Sequence, residues 1–263
     1  MSPAQPAEIS VTILGSGTCV PSLKRSSCSV LIKIKDNRLL FDSGAGTMRR
    51  LLEDGTTIFD ISHLFYSHLH PDHTGEMVPF LFANKYGNGF RRKLPLAVVA
   101  AQGFSTFYKR LKTAYGPWIE LAPGLFSIIE LSGTTDDSCR FDNFKVDSAP
   151  VEHIDSSIAY RITGDNGKSV VYSGDTDFSE NLIALSRGAD LLICESAHPD
   201  DLKSEGHLSP SLAGEIARRA NVGTLVLTHF YPECDHVDME KECRKTYDGP
   251  LILAEDLMKI EMI

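Results

Sequence analysis

No stretch of these 263 residues holds the roughly 18 consecutive apolar positions of a membrane-spanning helix. The opening MSPAQPAEISVTILGSG lacks the basic region and apolar core of a secretory signal, so a cytoplasmic location is expected. No C-x-x-C pair occurs. The six cysteines are scattered, which argues against a disulfide framework and fits a reducing compartment. Positive charge is scarce: 26 Lys and Arg against 35 Asp and Glu leave a formal net charge of −9. A nucleic-acid binder usually carries a basic face, so a large RNA or DNA footprint is not expected. The densest basic patch, KYGNGFRRK at 85–93, reads as a solvated loop rather than an RNA grip. Short repeats, low-complexity tracts and flexible linkers are also missing. What remains is an ordinary globular composition, 42% hydrophobic and 23% charged. It is long enough for one large domain of two packed halves, roughly 1–145 and 146–263.

Strand and helix patterns alternate along the chain. EISVTILGSG reads as a buried strand entering a glycine turn, and CSVLIKIKDNRLLFDSG as two strands joined at Asp36-Asn37. GTMRRLLEDG reads as a short helix closed by glycine, and ISHLFYSH as a strand. Helical GEMVPFLFANKYG, strand LPLAVVA and helical GFSTFYKRLKTAYG follow. From 125 to 162 strands dominate, and Asp165-Asn166-Gly167 marks a second hairpin. SPSLAGEIARRAN reads as a helix with Ser209 as N-cap and Pro210 in its first turn. The order of elements predicts an α/β protein of two sheets with helices outside.

The chemistry concentrates in FYSHLHPDHTGEMVPF, where His68, His70, Asp72 and His73 occupy six positions. In an extended segment residues i and i+2 point the same way, so His68 and His70 can grip one metal ion. The chain turns at Pro71, and Asp72 and His73 can reach a second ion. Imidazole nitrogen and carboxylate oxygen suit zinc, and also manganese or iron. A dinuclear site needs more donors, and His153, Asp175 and His229 each end a strand-like run.

H-x-H-x-D-H followed by separate His, Asp and His motifs resembles the metallo-β-lactamase superfamily, and more closely its ribonuclease Z-like branch. LLFDSGAGTMRRLL, LFYSHLHPDHTG, APVEH with SIAYRI, GKSVVYSGDT and GTLVLTHF resemble five successive motifs of that branch. LGSGTCVPSLKRSSCSVLI resembles its amino-terminal loop, and LAEDLMKIE its closing strand. The resemblance implies a four-layer αββα sandwich, the metallo-β-lactamase fold. It implies two divalent metal ions, zinc first, with manganese or iron as alternatives. His68, His70 and His153 would hold one ion, Asp72, His73 and His229 the other, and Asp175 would bridge them. Asp42 in LFDSG would orient a ligand imidazole from behind. Among catalytic roles, Asp72 would orient a metal-bridging hydroxide. His207 in SEGHLSPSLAGEIA would donate a proton or stabilise charge, held by Glu195 of DLLICES. His63, His198 and His236 carry no motif and read as structural or surface residues.

Two departures narrow the expected substrate. Branch members that grip transfer RNA often project a long arm, which in the bacterial form lies between the third and fourth motifs. Here 21 residues separate His153 from Asp175, enough for one hairpin. The redox members of the superfamily carry glutamate where His70 stands. The expectation is therefore a dinuclear hydrolase, a phosphodiesterase acting on a small molecule or short oligonucleotide rather than on transfer RNA, with a homodimer among its partners and no membrane. The alternative is a hydrolase of another ester class, a lactone, thioester or sulfate ester, on the same site.

Overall fold

The computed structural model describes residues 9–86 and 92–262. Most of the basic stretch at 85–93 therefore lies outside the described residues. Of its remainder, Arg92 is buried and donates to the Ile58 carbonyl and Asn84 Oδ1, at 3.1 and 3.0 Å, so it serves packing.

In chain order the first part carries β1 (Ile9–Gly15), β2 (Ser29–Ile34), β3 (Asn37–Phe41), α1 (Thr47–Asp54), β4 (His63–Phe65), α2 (Pro71–Thr74), α3 (Met77–Tyr86), β5 (Leu96–Ala101), α4 (Phe104–Tyr115) and β6 (Phe126–Leu131). There follow β7 (Asp137–Phe141), β8 (Phe144–Pro150), β9 (Ile158–Gly164), β10 (Ser169–Tyr172), α5 (Glu180–Ser186), β11 (Leu191–Glu195), α6 (Pro210–Ala220), β12 (Thr224–Thr228), α7 (Met239–Cys243), β13 (Leu251–Leu253) and β14 (Met258–Met262). One seven-stranded sheet runs β14-β1-β2-β3-β4-β5-β6 and the other β13-β12-β11-β10-β9-β8-β7. Each begins with antiparallel pairs and continues in parallel, through β3 to β6 in the first and β10 to β13 in the second.

Alternation along the strands builds the layers. In β1 to β3, Ile9, Val11, Ile13, Val30, Ile32, Leu39 and Phe41 face the second sheet, where they meet Tyr160, Ile162 and Tyr172. The intervening Leu14, Leu31 and Leu40 face outward, under Leu51 of α1, Phe80 of α3 and Phe104 of α4. Helices α5, α6 and α7 cover the second sheet through Leu182, Ile216 and Met239. Both faces of each sheet are thus buried, each large side chain contributing roughly 1.5–3 kcal/mol. The result is the αββα sandwich.

Two local readings need correction. The β2–β3 turn lies at Lys35-Asp36, one residue earlier than expected, with Lys35 at φ 51°. Pairing Ile34 with Asn37 keeps Ile32 and Leu39 on the inter-sheet face, and a shift by one would expose them. Strand β7 falls inside the strand-dominated stretch 125–162 but is not singled out there. It is short, polar and at a sheet edge, so it carries no apolar alternation. Among the described residues no helix is long and apolar enough to cross a membrane.

Candidate metal centre

The parallel strands bring their carboxyl ends to one side of the sandwich, where α/β folds place ligands. Asp42 follows β3, His68 lies three residues past β4, Asp175 three past β10 and His229 one past β12. His153 lies three residues beyond β8. His70 stays extended at φ −62° and ψ 150°, and Pro71 starts α2. The helix turn returns His73 beneath His68, their ring centroids 4.2 Å apart.

The donors gather in two groups. His68 Nε2 and His153 Nε2 lie 3.0 and 3.1 Å from His70 Nδ1. Asp72 Oδ2 lies 3.8 Å from the Nε2 atoms of both His73 and His229. Asp175 stands between the groups. Its Oδ2 is 3.2 Å from His73 Nε2, 3.7 Å from His68 Nε2 and 3.9 Å from His153 Nε2, and its Oδ1 is 3.3 Å from His229 Nε2.

These residues fit metal ions. Nitrogens at tetrahedral bonds of about 2.0–2.1 Å are separated by about 3.3 Å, close to the spacing among His68, His70 and His153. His73 Nε2, His229 Nε2 and Asp175 Oδ1 are buried without any hydrogen-bond partner among the described residues. Buried polar atoms are satisfied as a rule, so orphans converging on one point call for a cation. Burial, joined by the nearby His73, keeps His68 well below the usual imidazole range, leaving its nitrogen free to ligate. Burial works against a charged Asp175, yet the His229 and His73 imidazoles hold it well below the usual carboxylate range.

The ligands are aimed from behind. Asp42 Oδ2 accepts from His73 Nδ1 at 2.7 Å, from the Tyr172 hydroxyl at 2.7 Å and from Ser67 Oγ at 2.8 Å. Ser67 Oγ also meets His68 Nδ1 at 3.0 Å, so one carboxylate steers two imidazoles. His153 Nδ1 donates to the Gly206 carbonyl at 2.7 Å, which leaves Nε2 free to face the other donors. Asp42 and His229 occupy the left-handed region, at φ 55° and 61°. Such strain costs of order 1–3 kcal/mol each and persists where the surroundings over-determine the backbone. Two glycines permit close approach: a Cβ on Gly44 would lie 1.9 Å from the Asp72 carbonyl, and one on Gly174 2.5 Å from Ser67 Cβ.

Comparison with known proteins gives the family and the fold. The family model described as beta-lactamase superfamily domain matches residues 37–230. The chain belongs to the beta-lactamase superfamily. Within it the chain is ribonuclease Z-like. A ribonuclease Z of Archaeoglobus fulgidus is 26% identical, over 96% of this chain and 97% of its own. Among solved structures, the metallo-beta-lactamase fold protein YhfI of Bacillus subtilis superposes with a TM-score of 0.82 at 24% identity, covering 97% of this chain and 99% of that one. The short form of human tRNase Z superposes at 0.79 and 24%, covering 97% and 100%. This superfamily member is a metal-dependent hydrolase, and divalent cations belong to its fold.

Beside the donors of this hydrolase sits a second carboxylate–imidazole pair. Glu195 Oε1 accepts from His207 Nδ1 at 2.8 Å, and donor atoms of His207, Asp175 and His229 lie within 4.8 Å of one another. Burial alone would lower the His207 pKa, but the Glu195 hydrogen bond and charge outweigh it and hold it above the usual value. The hairpin between β9 and β10 turns within residues 165–168, so no arm projects there.

All seven sequence-predicted donors come together, with His207 and Glu195 beside them. His63 packs among Phe65, Phe141 and Phe144, where burial pushes it down to about 4. His236 is exposed and Cys194 buried. His198, read as structural or surface, is half-buried near the donors: its ring lies 6.2 Å from that of His207 and stacks on Tyr231 at 4.4 Å. Ser67 and Tyr172 sit within otherwise ordinary strand sequence, and no spacing signal picks them out.

Proposed function

We propose that the chain is a phosphodiesterase working with two divalent cations, zinc in the first instance. His68, His70 and His153 would hold one, Asp72, His73 and His229 the other, and Asp175 would contribute an oxygen to each. When bound, the ions supply Lewis acidity for the phosphoryl oxygens and make water nucleophilic near neutral pH.

The protein's own groups do the rest. Asp72, 13% exposed at its side chain, is the one carboxylate of the set open to solvent and can accept a hydrogen bond from the attacking water. His207 delivers a proton to the leaving oxygen. Its Nδ1 is committed to Glu195, so Nε2 is the donating atom, and the Glu195 charge favours the imidazolium that donation requires. Glu195 is a positioning residue: its other oxygen accepts from the backbone N–H groups of Ala197 and Leu208, both at 3.1 Å, fixing the loop that carries His207. The observation that carries the phosphodiester reading is this clamped imidazole beside the metal donors. A ribonuclease Z among the relatives supports it.

Folded transfer RNA is not the substrate we infer. The cavity of about 530 Å³ next to His153 is walled by Glu152, Asp177, Glu180 and Glu205. Lys203 pairs with Asp177 and Arg219 with Glu180, while Glu152 and Glu205 have no cationic partner among the described residues. Such a wall repels a polyanion far more than a small diester, which carries a single negative charge.

The test is a panel on the zinc- and manganese-loaded protein: bis-p-nitrophenyl phosphate, a cyclic nucleotide, an aryl sulfate and a lactone. Diester turnover is expected. Lactone or sulfate turnover without it would overturn the proposal. His207→Ala should retain its metal and lose about 10²- to 10⁴-fold in kcat.

A further inference from the structure

One feature of the site mouth takes no part in metal binding or proton transfer. His198 and Tyr231 stack on each other with centroids 4.4 Å apart and planes 20° apart. They lie just beyond the carboxyl ends of the adjacent strands β11 and β12, tied by the Tyr231 N–H donating to the Ala197 carbonyl at 3.1 Å. His207 and His229 form a second near-parallel pair, 5.6 Å apart at 16°. The two pairs meet as a corner: His198 stands at 83° to His207, and Tyr231 at 77° to His207 and 82° to His229.

A merely structural stack would be sealed, and this one is not. Both rings are half-buried. Neither ring nitrogen of His198 has a hydrogen-bond partner among the described residues. The Tyr231 hydroxyl touches the thiol of Cys19, itself exposed, at 3.5 Å. A flat, partly open aromatic surface thus stands at right angles to the imidazole that faces the leaving oxygen.

We propose that His198 and Tyr231 are positioning residues that hold a planar ring of the substrate, so that the preferred diester carries an aromatic group, a nucleobase or an aryl ring, on the His207 side. This rests on the phosphodiesterase reading for the phosphoryl end alone. Stacking suits the place because every nucleobase has a π-face, and the contact needs no basic surface, in a chain whose formal net charge is −9.

The experiment measures binding of adenosine 5′-monophosphate and ribose 5-phosphate to the zinc-loaded protein by calorimetry. The two share a phosphate and a sugar and differ by the ring. The wild type should bind the nucleotide about 5- to 150-fold more tightly, the span that base stacking on an aromatic side chain gives. Tyr231→Ala and His198→Ala should each collapse most of that ratio, whereas Tyr231→Phe and His198→Phe, which keep a flat ring, should restore it. With bis-p-nitrophenyl phosphate the alanine variants should raise KM more than they lower kcat. Equal binding of the two ligands by the wild type would overturn the proposal, as would an unchanged ratio in His198→Ala. His198 is half-exposed, so its variant tests the idea even if Tyr231→Ala fails to fold. Failure of the phosphodiesterase reading would appear separately, as absent diester turnover while the ratio persists.

Discussion

Asp42 follows β3 in the first sheet, and Glu195 closes β11 in the second. Each is a buried carboxylate that accepts from a histidine Nδ1, Asp42 from His73 at 2.7 Å and Glu195 from His207 at 2.8 Å. Their surroundings differ. The His73 side chain is fully buried, and its Nε2 faces two more carboxylates, Asp72 and Asp175. The His207 side chain is 15% exposed and opens towards the site mouth. Asp42 draws its remaining contacts from the Tyr172 and Ser67 side chains and the Ser67 N–H, Glu195 from backbone N–H groups of three loop residues. One device therefore serves two ends. On the proposed reading, the imidazole sealed among acceptors serves as a ligand and the one left open to solvent serves as a proton donor.

Two substitutions should separate these roles. The larger effect belongs to Glu195→Gln, which keeps the shape but removes the charge that favours the His207 imidazolium. We expect kcat on bis-p-nitrophenyl phosphate to fall by about 10²- to 10⁴-fold, bounded by the His207→Ala loss, with full zinc content by elemental analysis. Loss of zinc instead would make Glu195 part of the metal support. Asp42→Ala should do the opposite. Zinc affinity should drop about 10- to 100-fold, as when a ligand's supporting carboxylate is removed, and excess zinc should restore much of the rate. It should also lower the melting temperature, because Tyr172 and Ser67 lose a buried acceptor at a cost of about 1–3 kcal/mol. An Asp42→Ala protein with unaltered zinc affinity would erase the distinction between the two carboxylates.

The ligand half of this comparison is legible in the chain. His68, His70, Asp72 and His73 stand close in sequence, and His153, Asp175 and His229 each end an apolar run, so short-range order exposes them. The support half is less so. Asp42 is visible only through its motif, and its partner Tyr172 lies 130 positions away, a contact that sheet packing makes and no local pattern signals. The same holds for the corner at His198 and Tyr231: two unremarkable residues become a surface because β11 and β12 are neighbours. Continuous apolar runs revealed the buried strands because both faces needed apolar side chains, and they missed β7 because an edge strand does not need them. The β2–β3 turn slipped by one because Asp36-Asn37 looks like a turn locally, while inter-sheet packing sets the register.

A third buried carboxylate, outside the site, sharpens the contrast at the smallest scale. Asp54 has a fully buried side chain and bonds Lys33 at 2.7 Å and Lys259 at 3.0 Å, joining α1 to β2 and β14. Burial pushes its pKa up, but hydrogen bonds from Lys33, Thr56 and Lys259 outweigh that and hold it at about 2. A carboxylate with a depressed folded pKa contributes stability that is present above its unfolded value near 3.9 and lost as pH falls through the folded one. Asp54→Asn should therefore lower stability at pH 7 by on the order of 1 kcal/mol, given the solvent screening of the partly exposed lysines. The gap to wild type should narrow between about pH 4 and pH 2, followed by urea unfolding across that range. Zinc content and diester turnover should be unchanged at pH 7, because this carboxylate touches no imidazole of the centre. A loss of either would mean that the support of the metal site extends through α1 and is not confined to Asp42.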